Sequence, residues 1–171
     1  MYKKLLVFLL LVAIKLNGQT TNEKNEIINS INDNKTQYEE SALKIWGWAE
    51  LGYQEYKSAK ELQDLLKNEG FSLEVGIANI PTAFVATYKN GDGPVIGILG
   101  EYDALPGLSQ TNEPKKKLRD GVSSGHACGH NLFGVASAAS SIAIKKWMEK
   151  TNTKGTIKFF GCPAEEGGSG K

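Results

Sequence analysis

The sequence predicts an α/β domain built on a central, mostly parallel sheet flanked by helices. Three observations carry that expectation. Segments with helical spacing of apolar residues alternate with short strand-like segments. Val95 to Leu99 is almost wholly apolar, as in a strand buried on both faces. The strand-like Thr156–Phe160 follows a helical segment, Leu132–Met148, which reads as a crossover between parallel strands.

The elements follow in order. Ile27, Ile28, Ile31, Tyr38, Ala42, Ile45, Trp46 and Ala49 recur at broadly helical spacing, so residues 25–49 read as helix, with Asn32-Asp33-Asn34 as a point of interruption. Ser58-Ala59-Lys60-Glu61 has the form of a capping box. Leu62, Leu65 and Leu66 supply the apolar stripe behind it, and Gly70 ends the helix. Phe71, Leu73 and Val75 then alternate with polar residues, Ala83–Tyr88 reads as a second strand, and Asn90-Gly91-Asp92-Gly93-Pro94 is turn chemistry. Residues 111–124 form a polar, basic loop. In the helix after it, Ala136, Ala138 and Ala139 permit close packing.

Composition narrows the function. Of the 171 residues, 23% are charged and 40% hydrophobic, and the formal net charge is +1. That is an ordinary globular balance, without the basic surface that a nucleic-acid partner requires. The first 18 residues stand apart. Tyr2-Lys3-Lys4 precedes an apolar run from Leu5 to Ile14, too short to span a bilayer but suited to a signal peptide cleaved near Gly18. Residues 1–18 are thus expected to direct export to the periplasm or beyond, with no stable membrane association after cleavage. Residues 19–171 form the folded part.

Chemistry concentrates in three places. Both histidines of the chain and one of its two cysteines fall in Gly125-His126-Ala127-Cys128-Gly129-His130-Asn131. In an extended segment His126, Cys128 and His130 face one side, and a thiolate with an imidazole suits zinc or a similar metal. The second is Pro163-Ala164-Glu165-Glu166-Gly167-Gly168, directly after a strand. Alone, a Glu-Glu pair reads as a solvated turn. Beside a Cys-His cluster, one carboxylate can hold a metal while the other serves as general base. Adjacent carboxylates also raise each other's pKa. The third is Gly100-Glu101-Tyr102-Asp103, where Asp103 is placed to accept a hydrogen bond from a ligating histidine. The terminal Gly167–Lys171 run lacks the spacing and the final Ser or Thr of a phosphate loop.

These motifs resemble the aminoacylase/carboxypeptidase clan of metallo-amidohydrolases. Glu101-Tyr-Asp-Ala-Leu-Pro-Gly-Leu, Gly125-His-Ala-Cys-Gly-His-Asn and Pro163-Ala-Glu-Glu-Gly-Gly occur in the clan's order. They match its Cys-Gly-His branch, which includes auxin-conjugate hydrolases and aminobenzoyl-glutamate hydrolases. Leu51-Gly-Tyr-Gln-Glu-Tyr, Gly70-Phe and Ile80-Pro-Thr-Ala-Phe-Val-Ala fit the B-subunit type of the latter.

The resemblance implies two divalent metal ions, zinc or manganese, with Cys128, His130 and Glu166 as ligands. It also implies Glu165 as catalytic base and Asp103 behind His130. Elsewhere in the clan a histidine ligand precedes that aspartate by two, where this sequence has Glu101. His126 has a matching position without an implied ligand role. The expected reaction is hydrolysis of an amide bond in an N-acyl or N-aroyl amino acid or dipeptide by metal-bound hydroxide. The expected full-length protein is a homodimer. Two further histidine ligands and a dimerisation domain belong to the clan's pattern and are absent from 19–171, so this stretch is expected to be the N-terminal part of the catalytic domain, inactive alone. Two other readings stand beside this one: a mononuclear exopeptidase of the same fold, and a non-catalytic exported α/β module with a Cys128–Cys162 disulfide.

Overall fold

The computed structural model describes residues 21–171, so the expected signal peptide at 1–18 lies outside the described residues. The chain runs α1 (Thr21–Asn32), α2 (Lys35–Trp48), α3 (Tyr56–Asn68), β1 (Ser72–Val75), β2 (Phe84–Asn90), β3 (Val95–Glu101), α4 (His130–Thr151), β4 (Gly155–Cys162) and a single helical turn, α5 (Glu165–Gly168). The α/β class stands. The pairing is mixed rather than mostly parallel: in the order β1-β2-β4-β3, β3 and β4 are parallel while β1–β2 and β2–β4 are antiparallel. Among the described strands the parallel pair is the one joined through α4, as the crossover rule requires. No helix among the described residues is long and apolar enough to cross a membrane.

The helix expected over 25–49 is two helices. Asp33 donates its backbone N–H to Asn29 O at 2.8 Å, and the Asn34 side-chain amide donates to Ser30 O at 2.9 Å. That side chain competes with the backbone for the last carbonyls of α1, so the ladder stops there. The capping box does not form. Helix α3 starts at Tyr56, two residues ahead of Ser58. The Glu50 carboxylate accepts the Lys57 N–H at 3.1 Å, and the Ser58 N–H and hydroxyl at 2.8 Å each. An anion from outside the helix thus satisfies its free first-turn donors. Glu61 instead accepts from Ser41 and Lys44. The other end of α3 matches the sequence: Gly70 has φ +87°, and Phe71 N–H returns to Leu66 O at 3.1 Å.

The core lies on one face of the sheet. Leu62, Leu65 and Leu66 of α3 and Ala138, Ala139 and Ile142 of α4 pack on Phe84 and Ala86 of β2 and on Ile157 and Phe159 of β4. Phe159, Phe84 and Tyr102 stack in sequence, with ring centroids 5.6 and 6.2 Å apart. β3 departs from expectation. Instead of lying centrally, it forms an edge among the described strands, and Val95, Ile96 and Leu99 are about half exposed or more. Its helix-facing Ile98 still packs on the core.

Close approach of α4 to the end of β3 comes from Gly134, whereas Ala136 points outward. A Cβ at 134 would lie 2.5 Å from Glu101 O. This contact sets the first turn of α4 against the carboxyl end of β3. Gly134→Ala is therefore expected to cost about 1–3 kcal/mol in urea unfolding through overpacking against backbone. Gly47→Ala in α2, where an added Cβ meets nothing within 4 Å, is expected to gain about 0.5–1 kcal/mol instead.

Candidate metal centre

Three chain segments meet at the carboxyl end of the parallel pair, the end where α/β sheets place ligands. The first leaves β3 as Glu101-Tyr102-Asp103. It is pinned by Ala104 N–H to Glu50 O at 2.8 Å and by paired bonds between Leu105 and Gly125 at 3.0 Å. The second is the start of α4, where Gly129 at φ +94° turns the chain so that His130 opens the helix. The third leaves β4 as Pro163-Ala164 and enters α5 at Glu165 and Glu166.

His130 is the hub. Its side chain is 4% exposed, and that of Asp103 1%. Nδ1 lies 2.9 Å from Asp103 Oδ1, the partnership expected from sequence. Asp103 does a second job there: Oδ2 accepts the Glu166 N–H at 2.9 Å, so one buried carboxylate orients both the imidazole and α5. On the other side of the ring, Nε2 lies 3.0 Å from Glu101 Oε2 and 3.8 Å from Glu165 Oε2, while Glu166 Oε1 lies 3.8 Å from Nδ1. Two groupings of ligating atoms result, each with its atoms within 4.8 Å of one another: Cys128, His130 and Glu166, and Glu101, His130 and Glu165. Asp103, Cys128, His130, Glu165 and Glu166, the residues given roles from the sequence, thus converge, and Glu101 joins them.

Several local expectations change. His126 does not join Cys128 and His130, because the segment bends at Ala127 and Cys128 and turns again at Gly129 rather than running extended. Its Nε2 instead meets Ile45 O at 3.2 Å, and burial holds its pKa below the usual value, favouring the neutral ring. Glu165 and Glu166 diverge as expected, but from a helical turn. Glu165 does not have a raised pKa: the Lys171 ammonium, 3.0 Å away, holds its carboxyl below the usual range. Both cysteines are free, so the disulfide of the module reading is not formed. Cys162 is buried and its thiol donates to Phe160 O at 3.3 Å.

The donor set fits a divalent metal. Glu166 Oε1 is buried with no hydrogen-bond partner among the described residues. Desolvation, then a hydrogen bond to the Glu166 side chain and the Glu166, Glu165 and Glu101 charges, push the Cys128 thiol up. A thiol in such surroundings becomes a thiolate readily only if a cation joins it. Thiolate, imidazole and carboxylate together suit zinc and its borderline neighbours.

Sequence reasoning missed Glu55, whose only signal was its place in the Leu51–Tyr56 motif. It is fully buried. Its carboxylate accepts the Ala164 N–H at 2.7 Å and the Thr82 hydroxyl at 3.1 Å. Ala164 is left-handed at φ +52°, pressed between Gly52 and Gly168, and the Tyr53 hydroxyl donates to Gly168 O. Glu55 thereby fixes the residue that aims Glu165 and Glu166. Glu55→Ala is expected to lose about 1–3 kcal/mol in urea unfolding, because buried donors are stranded. Burial also raises the Glu55 pKa above its ordinary 4.5. Stability tied to its proton is present below that value and lost as pH climbs through the raised one. Glu55→Gln keeps shape and acceptor but cannot ionise. Its melting temperature relative to wild type is therefore expected to shift in the variant's favour between about pH 4 and 7.

No family model matches the chain. Individual proteins do. It is 44% identical over 147 residues to the B-subunit of p-aminobenzoyl-glutamate hydrolase from Escherichia coli (strain K12), covering 85% of this chain and 30% of that protein. It is 33% identical over 118 residues to N-acetylcysteine deacetylase of Bacillus subtilis (strain 168), covering 68% and 30%. Among solved structures, the Bacillus subtilis YXEP protein, a dinuclear metal binding peptidase from the M20 family, superposes with a TM-score of 0.65 at 29% identity. That match covers 77% of this chain and 36% of the other. The chain spans about a third of the length of these relatives, and over that span it belongs to the M20 family of metallopeptidases and amidohydrolases.

Proposed function

We propose that the full-length protein hydrolyses the amide bond of an N-acyl or N-aroyl amino acid or a dipeptide, aminobenzoyl-glutamate being the leading candidate, with two divalent metal ions, zinc or manganese. The observation that carries this reading is the imidazole of His130, oriented by Asp103 and flanked by Cys128 and Glu166 on one side and Glu165 on the other. The relatives, an aminobenzoyl-glutamate hydrolase and an N-acetylcysteine deacetylase, are named for reactions on this bond type.

Cys128, His130 and Glu166 hold metal. Bound metal ions make water acidic and polarise the scissile carbonyl. Asp103 fixes the ring tautomer and the α5 backbone. Glu165 is the general base. Its lowered pKa keeps it ionised at neutral pH, and its side chain, 29% exposed, is the most accessible carboxylate of the cluster. A cavity of about 340 Å3 beside Glu166, lined by Leu51, Tyr53, Pro106 and Ala164, is of the size that small ligands use. It offers apolar walls to the acyl or aroyl group.

Two four-ligand shells need more donors than these residues supply. Residues 19–171 alone are therefore proposed to bind metal weakly and to lack turnover. Homodimerisation is carried over from the family resemblance, and export rests on the Tyr2–Ile14 pattern.

In the full-length protein, Glu165→Gln is expected to lower kcat on an aroyl-glutamate by about a hundredfold or more with metal content unchanged by elemental analysis. Glu166→Gln is expected to lower metal content itself. Near-normal turnover in Glu165→Gln would remove the base assignment.

A further inference from the structure

In the function proposed above Cys128, His130 and Glu166 hold the two ions between them, and the nitrogen that His130 gives decides which ion it serves. A neutral imidazole has one lone pair to give a metal. Asp103, at 2.9 Å from Nδ1, takes the Nδ1–H and leaves that lone pair on Nε2. Nε2 faces Glu101 Oε2 at 3.0 Å and Glu165 Oε2 at 3.8 Å. Glu101 is more than nine-tenths buried at the last position of β3. A carboxylate so placed needs a positive partner. The Lys171 ammonium lies 2.9 Å from Glu101 Oε1 and 3.0 Å from Glu165 Oε1, so the two acids already share one cation.

We propose that Glu101 is a ligand of one of the two divalent ions, on the Nε2 side of His130, and that the Lys171 ammonium balances this position when no ion is bound. The inference rests on the two-metal reading above. A cation there would take the Nε2 lone pair and the Glu101 carboxylate together, 3.0 Å apart. With carboxylate beside imidazole, this position is harder in character than the thiolate position at Cys128, and manganese suits it. Glu165, 3.8 Å from Nε2, would remain free for proton transfer without binding the ion.

The test is titration of the metal-stripped full-length protein with Mn(II), with free Mn(II) read by electron paramagnetic resonance. Wild type is expected to take up two ions per chain. Glu101→Gln is expected to keep one of them and to bind the other at least about tenfold more weakly. Glu101→His, which offers another ligating group, should regain it. Lys171→Met, which removes the competing charge, should tighten it. If Glu101→Gln fails to fold, the other two variants decide. Wild type binding fewer than two ions overturns the two-metal reading and this inference with it. Two ions in wild type, with affinities unmoved in the folded Glu101 and Lys171 variants, overturns this inference alone.

Discussion

The carboxyl end of the sheet is organised by one buried pairing, His130 with Asp103. An imidazole 4% exposed cannot be left without partners, and Asp103 at 2.9 Å supplies one while its second oxygen holds the α5 backbone. The position of the ring depends in turn on how closely α4 can approach β3. That approach is set four residues on, where Gly134 leaves room for the Glu101 carbonyl. Packing in the helix and chemistry at its first residue are therefore a single constraint. A shift of α4 moves the histidine relative to all four carboxylates at once.

A second layer of support comes from acids that never reach the cluster. Glu50 closes the open amides of α3 and, through its own carbonyl, fixes the chain beyond Asp103. Glu55 bolts Ala164 in place. Tyr102, at the centre of the aromatic stack, donates to Thr82 O at 2.6 Å and ties β3 to the strand that carries Phe84. Polar groups buried this way act through fixed geometry.

Much of this was legible in the sequence, for reasons that differ by element. The leucines of α3, the Gly70 stop and the strand-like segments are local signals, and each appears near its expected place. The clustering of rare residues at Gly125–Asn131 and the Glu165-Glu166 pair pointed to the site because cysteine and histidine are scarce in this chain. What was not legible is tertiary. The Ser58–Glu61 pattern satisfied a local rule, but Glu50, eight residues earlier, took the position. The apolar run in β3 gave no information on strand order. Side-chain direction in 126–130 depended on bends at Ala127 and Cys128 and a positive φ at Gly129, and the roles of Glu55 and Glu101 depend on partners 109 and 70 residues away.

Ala164 shows what such wiring implies for change in the protein. A left-handed alanine costs about 1–2 kcal/mol that glycine would not. At this position the side chain is wedged between Gly52 and Gly168, and the N–H is tied to a buried acid. A glycine there would relieve the strain and also free the hinge from which both glutamates hang. The strained alanine and the buried Glu55 carboxylate thus form one unit, and a change at either is felt at the turn that carries Glu165 and Glu166.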